Sequence, residues 1–225
     1  MSDSILFLPI QKFLIVATMA RFKDSFFGGL SGKIGPVVTY IRNGKQVVRS
    51  LPTPNDPKTP KQLAHRAKFS LVNKGLSPLN SAIKLGYRND NNAYRTLVGK
   101  AYHEAVAGEY PNFTLDYSKI QIAEGALPLP ADISMEKGTD DHTVLFSWDS
   151  QIQKPSDGSR NDDRVNIVYL NMTFSGAGQQ MSAAKRADGR ATLSIPNGWK
   201  PEETLFWIYL TSPDLQLNSD SKFVQ

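Results

Sequence analysis

The chain has 225 residues, of which 40% are hydrophobic and 21% charged, a composition typical of a soluble globular protein with one large or two small domains. The absence of cysteine excludes disulfide scaffolds, thiolate zinc sites and cysteine nucleophiles. Its three histidines are far apart in sequence, which argues against a histidine-rich metal site.

Charge is divided unequally along the chain. Residues 21–110 carry 15 lysines and arginines against 5 acidic residues, a net charge of +10. Residues 111–225 carry 10 against 15, a net charge of −5. This division is consistent with polyanion binding by the basic half, with head-to-tail association between copies, or with attraction between the two halves of one chain.

The first eighteen residues are apolar but lack the pattern of a signal peptide. No lysine or arginine precedes the apolar run, Asp3 lies where positive charge is expected, and residues 9–12 interrupt the run. Neither side of the break approaches the roughly 20 apolar residues that span a bilayer. We therefore predict no membrane span and interpret residues 1–18 as an extension outside the fold, with Met19 as the natural start. This favours a cytoplasmic location; export is the alternative if residues 1–18 act as a signal.

A glycine-rich stretch, residues 28–35, has the residue types of a phosphate loop but not the spacing. Phe27 stands where the first glycine is required, and Ile34 replaces the hydroxyl that would bind magnesium. The stretch also leads into a strand, whereas a phosphate loop opens a helix. We expect these glycines to permit tight turns and to hold no nucleotide.

Residues 34–51 predict a β-hairpin, because β-branched and aromatic residues flank Asn43-Gly44, a strong two-residue turn signal. The proline-rich residues 52–60 then form a stiff connector. A helix is expected next, with Thr59 as its cap, Pro60 in its first position and Gln62 completing a capping box. It should end near Gly75, and two further helices are expected over residues 78–85 and 92–107.

After residue 110 the hydrophobic pattern changes to short strands separated by turn-rich segments. This is typical of an antiparallel β-sandwich of immunoglobulin or fibronectin type III kind, with Trp148 and Trp207 as core residues. The predicted class is α+β. A basic hairpin-and-helix region spans residues 19–110 and an acidic sandwich spans residues 111–225, with the boundary near residues 111–128.

No arrangement of residues predicts catalysis. The chain has no G-x-S-x-G nucleophile elbow, and His103-Glu104 would be an acid–base pair only by arbitrary choice. We therefore expect a protein that is not an enzyme and that has no cofactor or metal site.

The basic half allows a nucleic-acid interpretation. On the first predicted helix Lys61, His65 and Lys68 follow i, i+4, i+7 spacing and form one stripe. With the hairpin cations, this gives a candidate phosphate-contacting set without sequence preference: Arg42, Lys45, Arg49, Lys61 and Lys68. The helix has no group of residues suited to reading bases, so a solvated charged face is the simpler interpretation.

Three motifs resemble those of an uncharacterised domain-of-unknown-function family of Bacteroidota bacteria. They are G-x-x-G-K-x-G, V-x-R-S-x-P and P-x-T-x-x-Q-x-x-R-x-x-F. This chain departs from the third motif by one extra residue between Gln62 and Arg66, and Asp56 stands where that family usually has asparagine. The matching positions are Gly29, Gly32, Lys33, Gly35, Val47, Arg49, Ser50, Pro52, Pro57, Thr59, Gln62, Arg66 and Phe69. The likeness covers nearly all of the chain after residue 19 and implies no activity.

The resemblance groups Arg66 with Phe69 as a docking pair, in which Phe69 is the apolar anchor and Arg66 holds a carboxylate or a carbonyl. Arg49 joins them as a candidate partner-binding residue. The leading hypothesis is accordingly a structural or protein-interaction protein that binds another protein or another copy of itself. Sequence-independent nucleic-acid binding is the first alternative.

A third hypothesis is a surface module that binds glycans or peptides. It depends on aromatic side chains being exposed, and the candidates are Tyr87, Tyr94 and Trp199.

Overall fold

The computed structural model describes residues 19–22, 31–51, 56–88, 90, 92–152 and 158–225. The chain divides into two compact units, Met1–Pro57 and Lys58–Gln225. The predicted extension, residues 1–18, lies outside the described residues, as do Gly28 and Gly29 of the glycine-rich stretch.

The first unit contains a four-stranded antiparallel sheet in the order β1-β4-β3-β2. Its strands are β1 (Met19–Phe22), β2 (Gly32–Ile34), β3 (Val37–Arg42) and β4 (Lys45–Ser50). The predicted hairpin is β3–β4, and it turns at Asn43 (φ 52°) and Gly44 (φ 71°), the two left-handed residues that a type I′ turn requires. Gly32–Ile34 is a strand, so the glycine-rich stretch leads into a sheet as predicted.

The second unit begins with three helices, α1 (Pro60–Leu76), α2 (Asn80–Gly86) and α3 (Ala93–Glu104), with a short 3-10 turn over Ser77–Leu79. The capping box is confirmed: Gln62 N donates to Thr59 Oγ1 at 3.4 Å, and Thr59 N donates to Gln62 Oε1 at 3.2 Å. Gly75 does not end α1. A Cβ there would lie 2.8 Å from the Tyr117 hydroxyl, so this glycine permits close packing.

The third helix ends three residues before the predicted Ala107. Val106–Ala107 forms a short strand, β5, that pairs with β6 (Thr114–Leu115). The connection from Ala107 to its partner Thr114 begins with Gly108. Gly108 has a φ of 86°, a left-handed conformation that glycine adopts readily and that lets the chain turn back.

In the described part of the chain, seven further strands form two antiparallel sheets. Their bounds are β7 (Ser134–Lys137), β8 (Thr143–Ser147), β9 (Arg164–Asn171), β10 (Gly176–Lys185), β11 (Arg190–Ser194), β12 (Thr204–Thr211) and β13 (Lys222–Val224). One sheet has the order β11-β8-β7 and the other has the order β10-β9-β12-β13. The α+β class is therefore as predicted.

The two central strands of the four-stranded sheet, β9 and β12, are buried on both faces. On β12, Phe206 and Ile208 pack against the three-stranded sheet, whereas Trp207 and Tyr209 pack against the helices. The strand therefore reads as a continuous apolar run, as strands covered on both faces do. Both predicted core tryptophans are buried, since Trp148 and Trp207 have 6% and 0% of their surface exposed.

This layering changes the predicted domain boundary. The helices were expected to group with the hairpin and to separate from the sandwich near residues 111–128. They instead share a core with β9 and β12, and the division between units falls at Pro57. The physical reason is the apolar side of β9 and β12 that faces the helices, because it needs a cover that excludes water. This side carries Val168, Leu170, Trp207 and Tyr209.

A buried ion pair joins the residue before β9 to the residue after β10. Arg186 Nε donates to Asp163 Oδ2 at 3.0 Å, and both side chains are buried. The same carboxylate oxygen accepts from Arg160 N at 2.9 Å, and the Arg186 guanidinium also donates to Pro128 O. Trp148 Nε1 donates to Arg186 O at 2.8 Å, which ties the pair to the core.

Candidate functional site

Helices α1 and α3 leave an open groove between them in the second unit. We call this the α1/α3 groove, a cavity of about 510 Å³ lined by His65, Phe69, Arg95, Val98, Gly99, Tyr102 and His103. Its volume lies within the range of ordinary ligand sites. His65 and Phe69 continue toward the N-terminus the stripe of α1 that carries the buried Val72 and Leu76, because the four residues follow i, i+4, i+7, i+11 spacing. At His65 and Phe69 this stripe is exposed and lines the groove.

Aromatic contacts hold the floor of the groove in place. His65 Nδ1 and the Tyr102 hydroxyl share a hydrogen bond of 2.7 Å. Lys68 Nζ lies 4.4 Å from the centroid of the Tyr102 ring, a cation–π contact. Phe69 stacks on His65 with 6.5 Å between ring centroids. The groove thus has a preformed, partly aromatic surface.

Three features make this groove suited to a partner. Half of the surface of Phe69 is exposed. A Cβ on Gly99 would meet no atom within 4 Å, so this mid-helix glycine leaves space that nothing else in the described chain fills. No carboxylate is among the described lining residues, and the single acidic residue of the three helices is Glu104. The groove therefore favours an apolar group that carries negative charge.

Of the predicted partner-binding residues, Phe69 lies in the groove. Arg66 is exposed on α1 but is not part of the groove lining. Arg49 belongs to the first unit, where its guanidinium carbon lies 5.9 Å from the centroid of the Tyr40 ring. The expected pairing of Arg66 with Phe69 therefore stays a prediction.

The sheet of the first unit has one cationic face. Residues directly opposite each other on paired antiparallel strands lie on the same face. In this register Arg42 is opposite Lys45, Val38 is opposite both Lys33 and Arg49, and all four cations are exposed. The other face of β2–β4 carries no charged side chain. We call the face that carries the four cations the cationic face, and Tyr40 lies on it as well.

The predicted nucleic-acid residues fall into two groups. Arg42, Lys45 and Arg49 lie on the cationic face of the first unit. Lys61 and Lys68 lie on α1 in the second unit, where Lys61 is exposed and Lys68 is half-buried against Tyr102.

The aromatic residues of the third hypothesis are half-buried. The Tyr87 hydroxyl donates to Gln121 O at 2.7 Å, and burial raises the pKa of Tyr87 well above its usual range. The Tyr94 hydroxyl donates to Asn73 O at 3.4 Å. Trp199 is stacked against the exposed Phe174. The third hypothesis requires these side chains to be exposed, and each of them is half-buried.

Within the described ranges, no group of three or more histidine or acidic side chains lies close enough to hold a metal ion. No helix in the part of the chain that the structure describes has the length and apolar content needed to span a membrane.

Sequence reasoning found Phe69 and His65 but missed most of the groove. Arg95, Gly99 and Tyr102 lie about 30 residues farther along the chain, and they meet α1 only after the helices have packed. The one available signal was Gly99, a helix-interior glycine that costs about 1 kcal/mol relative to alanine.

No curated protein and no solved structure matches the chain at a significant level. A family match extends over residues 29–224 and so includes both the cationic face and the groove. The chain belongs to the family of unknown function DUF6266.

Proposed function

We propose that this protein is a non-enzymatic structural or protein-interaction protein that assembles with another protein or with further copies of itself. The observation that carries the proposal is the division of charge between the layers of the second unit. Residues 58–110, which form the helical layer, have 9 lysines and arginines against 3 acidic residues. Residues 111–225, which form the two sheets, have a net charge of −5. Opposite charge on opposite layers favours association between molecules.

The strand order supports this proposal through the class of fold. With the labels A, B, C, C′, E, F and G given to β7–β13 in chain order, so that no strand is called D, the sheets are A-B-E and C′-C-F-G. This division supports a fibronectin type III-like sandwich. Such sandwiches are widespread in cell-surface and recognition proteins. Membership of a Bacteroidota lineage stays a prediction.

The experiment is light scattering of the full chain across ionic strength. We expect a mass above that of the monomer at low salt, falling toward 24.9 kDa as salt screens the attraction. Lys61→Glu on the helical layer should weaken association. Arg190→Glu makes the same change of charge on the acidic sheets. It is the matched control, because this variant should not weaken association. A strict monomer that captures no partner at any ionic strength would refute the proposal.

The cationic face supports a second candidate function, sequence-independent binding of nucleic acid. Exposed cations on one face of a sheet can contact successive phosphates, and Tyr40 offers an aromatic ring beside them. This site belongs to the first unit, so it is independent of the charge on the helical layer.

Fluorescence anisotropy with a labelled 20-nucleotide DNA would test the second candidate. The plot of log affinity against log salt should be linear, and Arg42→Gln with Lys45→Gln should reduce its slope by about 2. Ile41→Thr lies on the opposite face of the same strand and is the control. Absent binding at low salt, or binding with no salt dependence, would exclude this function.

A further inference from the structure

A tight loop after β12 displays two leucines. Leu215 and Leu217 have 38% and 47% of their surface exposed. The loop is closed by Leu215 N donating to Ser212 O and by Leu217 N donating to Ser212 Oγ, both at 2.9 Å. The Ser212 hydroxyl in turn donates to Asp214. We call residues 212–217 the leucine loop.

Leu215 adopts a backbone conformation that leucine ordinarily avoids. Its φ is +61°, in the left-handed region, which costs a bulky residue about 1–3 kcal/mol. The Arg88 guanidinium donates to Leu215 O and holds the strained residue in place. A glycine or asparagine would fit this position without strain, and the exposed leucine contributes little to the core. Strain kept at an exposed apolar residue indicates a role in contact with another molecule.

The leucine loop and the α1/α3 groove have complementary chemistry. The loop presents apolar side chains beside the Asp214 carboxylate, and its hydrogen bond from Ser212 holds the pKa of Asp214 below its usual range. The groove presents Phe69 and the open space at Gly99 beside the Arg95 guanidinium. An apolar projection that carries the Asp214 carboxylate thus matches an apolar recess that carries the Arg95 guanidinium.

The two features lie on either side of α3. Thr96 and Lys100 line a cavity of about 530 Å³ together with Leu217 of the leucine loop. Arg95 and Gly99, on the neighbouring face of the same helix, line the groove. A twofold axis passing near the exposed side of α3 would therefore bring the loop of each molecule to the groove of the other. In such an isologous contact each partner supplies both surfaces.

We propose that a second copy of this chain occupies the α1/α3 groove, with its leucine loop inserted beside Phe69 and the contact repeated reciprocally in a twofold dimer. This inference deepens the proposed function and rests on it, because it names the partner and the two surfaces that meet. The contact buries the exposed leucines and Phe69, and so removes from water apolar surface that the monomer leaves exposed.

The test is light scattering of the full chain at about 1 to 500 µM. The wild-type mass should rise with concentration to about twice 24.9 kDa. Phe69→Ser and Leu215→Asn should each shift dimerisation to at least about tenfold higher concentration. Leu215→Asn should keep or raise the melting temperature, because asparagine tolerates the left-handed backbone. Leu145→Ser, a leucine of similar exposure (41%) on β8, is the matched control and should leave the dimer unchanged.

A mixing experiment tests the reciprocal geometry. In a mixture of Phe69→Ser and Leu215→Asn chains, the heterodimer keeps one intact loop–groove contact, whereas either homodimer keeps none. The mixture should therefore dimerise at concentrations at which each variant alone is a monomer. A synthetic peptide of residues 211–219 should compete with the wild-type dimer, and the same peptide with Leu215→Asn should not.

Several results would overturn the inference. Association that depends on salt but is indifferent to Phe69→Ser and Leu215→Asn would reject this interface and leave the assembly function standing. A monomer that uses Phe69 to bind a different protein, or DNA, would assign the groove to a foreign partner. A monomer at every concentration that captures nothing would reject both the interface and the proposed function.

Discussion

Replacing Arg186 by methionine should destabilise the protein by about 3–5 kcal/mol, the cost of breaking a buried ion pair from one side. The change removes the 3.0 Å bond to Asp163 and the bond to Pro128 O. Hydrogen bonds to charged groups contribute about 1.5–3 kcal/mol each, which gives a similar sum. The carboxylate of Asp163 would then be fully buried, and Arg160 N would be its one remaining donor among the described residues.

Urea denaturation of the full chain, followed by tryptophan fluorescence, measures this loss. Trp148 is a suitable reporter because its indole nitrogen donates to Arg186 O. A loss of about 3–5 kcal/mol is a large part of the 5–15 kcal/mol that stabilises a typical domain. The exposed Arg190, changed to methionine, is the matched control and should alter stability by no more than about 0.5 kcal/mol.

A double variant separates the buried charge from the loss of packing. Adding Asp163→Asn to Arg186→Met removes the uncompensated charge, so the double variant should be more stable than Arg186→Met alone. A loss below about 1 kcal/mol for Arg186→Met, or a double variant no better than the single one, would refute the argument that the pair stabilises the native state through charge compensation.

Three further outcomes are expected. Burial raises the pKa of Tyr209 to about 12 from 10.0, so the free energy of unfolding should fall as pH rises from about 10 to 12. In urea titrations Tyr209→Phe should reduce this fall by roughly 2–3 kcal/mol. A fall that is the same in the variant would contradict the prediction. Gly86→Ala should lower the free energy of unfolding by about 1–3 kcal/mol, because the new Cβ would meet the backbone carbonyl of Ile122. Gly99→Ala has open space around it and should raise the melting temperature. Equal effects of the two variants would show that packing around the glycine does not determine the change in stability. Thr59→Ala should cost about 1 kcal/mol by calorimetry, and Thr59→Ser, which keeps the cap, should cost less.

Local chemistry made some elements predictable. Asn43-Gly44 specifies its turn through the two left-handed residues that it supplies, whatever lies elsewhere in the chain. Thr59 and Gln62 lie three residues apart and complete the capping box by themselves. Each of these features depends on neighbours in sequence, so the amino-acid sequence alone is sufficient to predict it.

The division into units could not be predicted in this way. It depends on contacts such as the one in which Trp207 Nε1 donates to Ile120 O at 3.0 Å, across 87 residues. The charge pattern suggested a boundary near residues 111–128. Burial of the apolar face of β9 and β12 instead places the basic helices in the same unit as the acidic sheets. The groove was hidden for the same reason, because His65 and Tyr102 meet across 37 residues.

The sheet that is shared between two cores makes the helices an inseparable part of the second unit. A fragment that begins after Tyr110 would leave the Trp207 and Tyr209 side of β12 in water, an apolar area of the kind that causes aggregation. Limited proteolysis should accordingly find no stable fragment that contains β7–β13 without α1–α3. For anyone who dissects this protein for expression or for fusion, the natural place to cut is the proline-rich connector before Thr59.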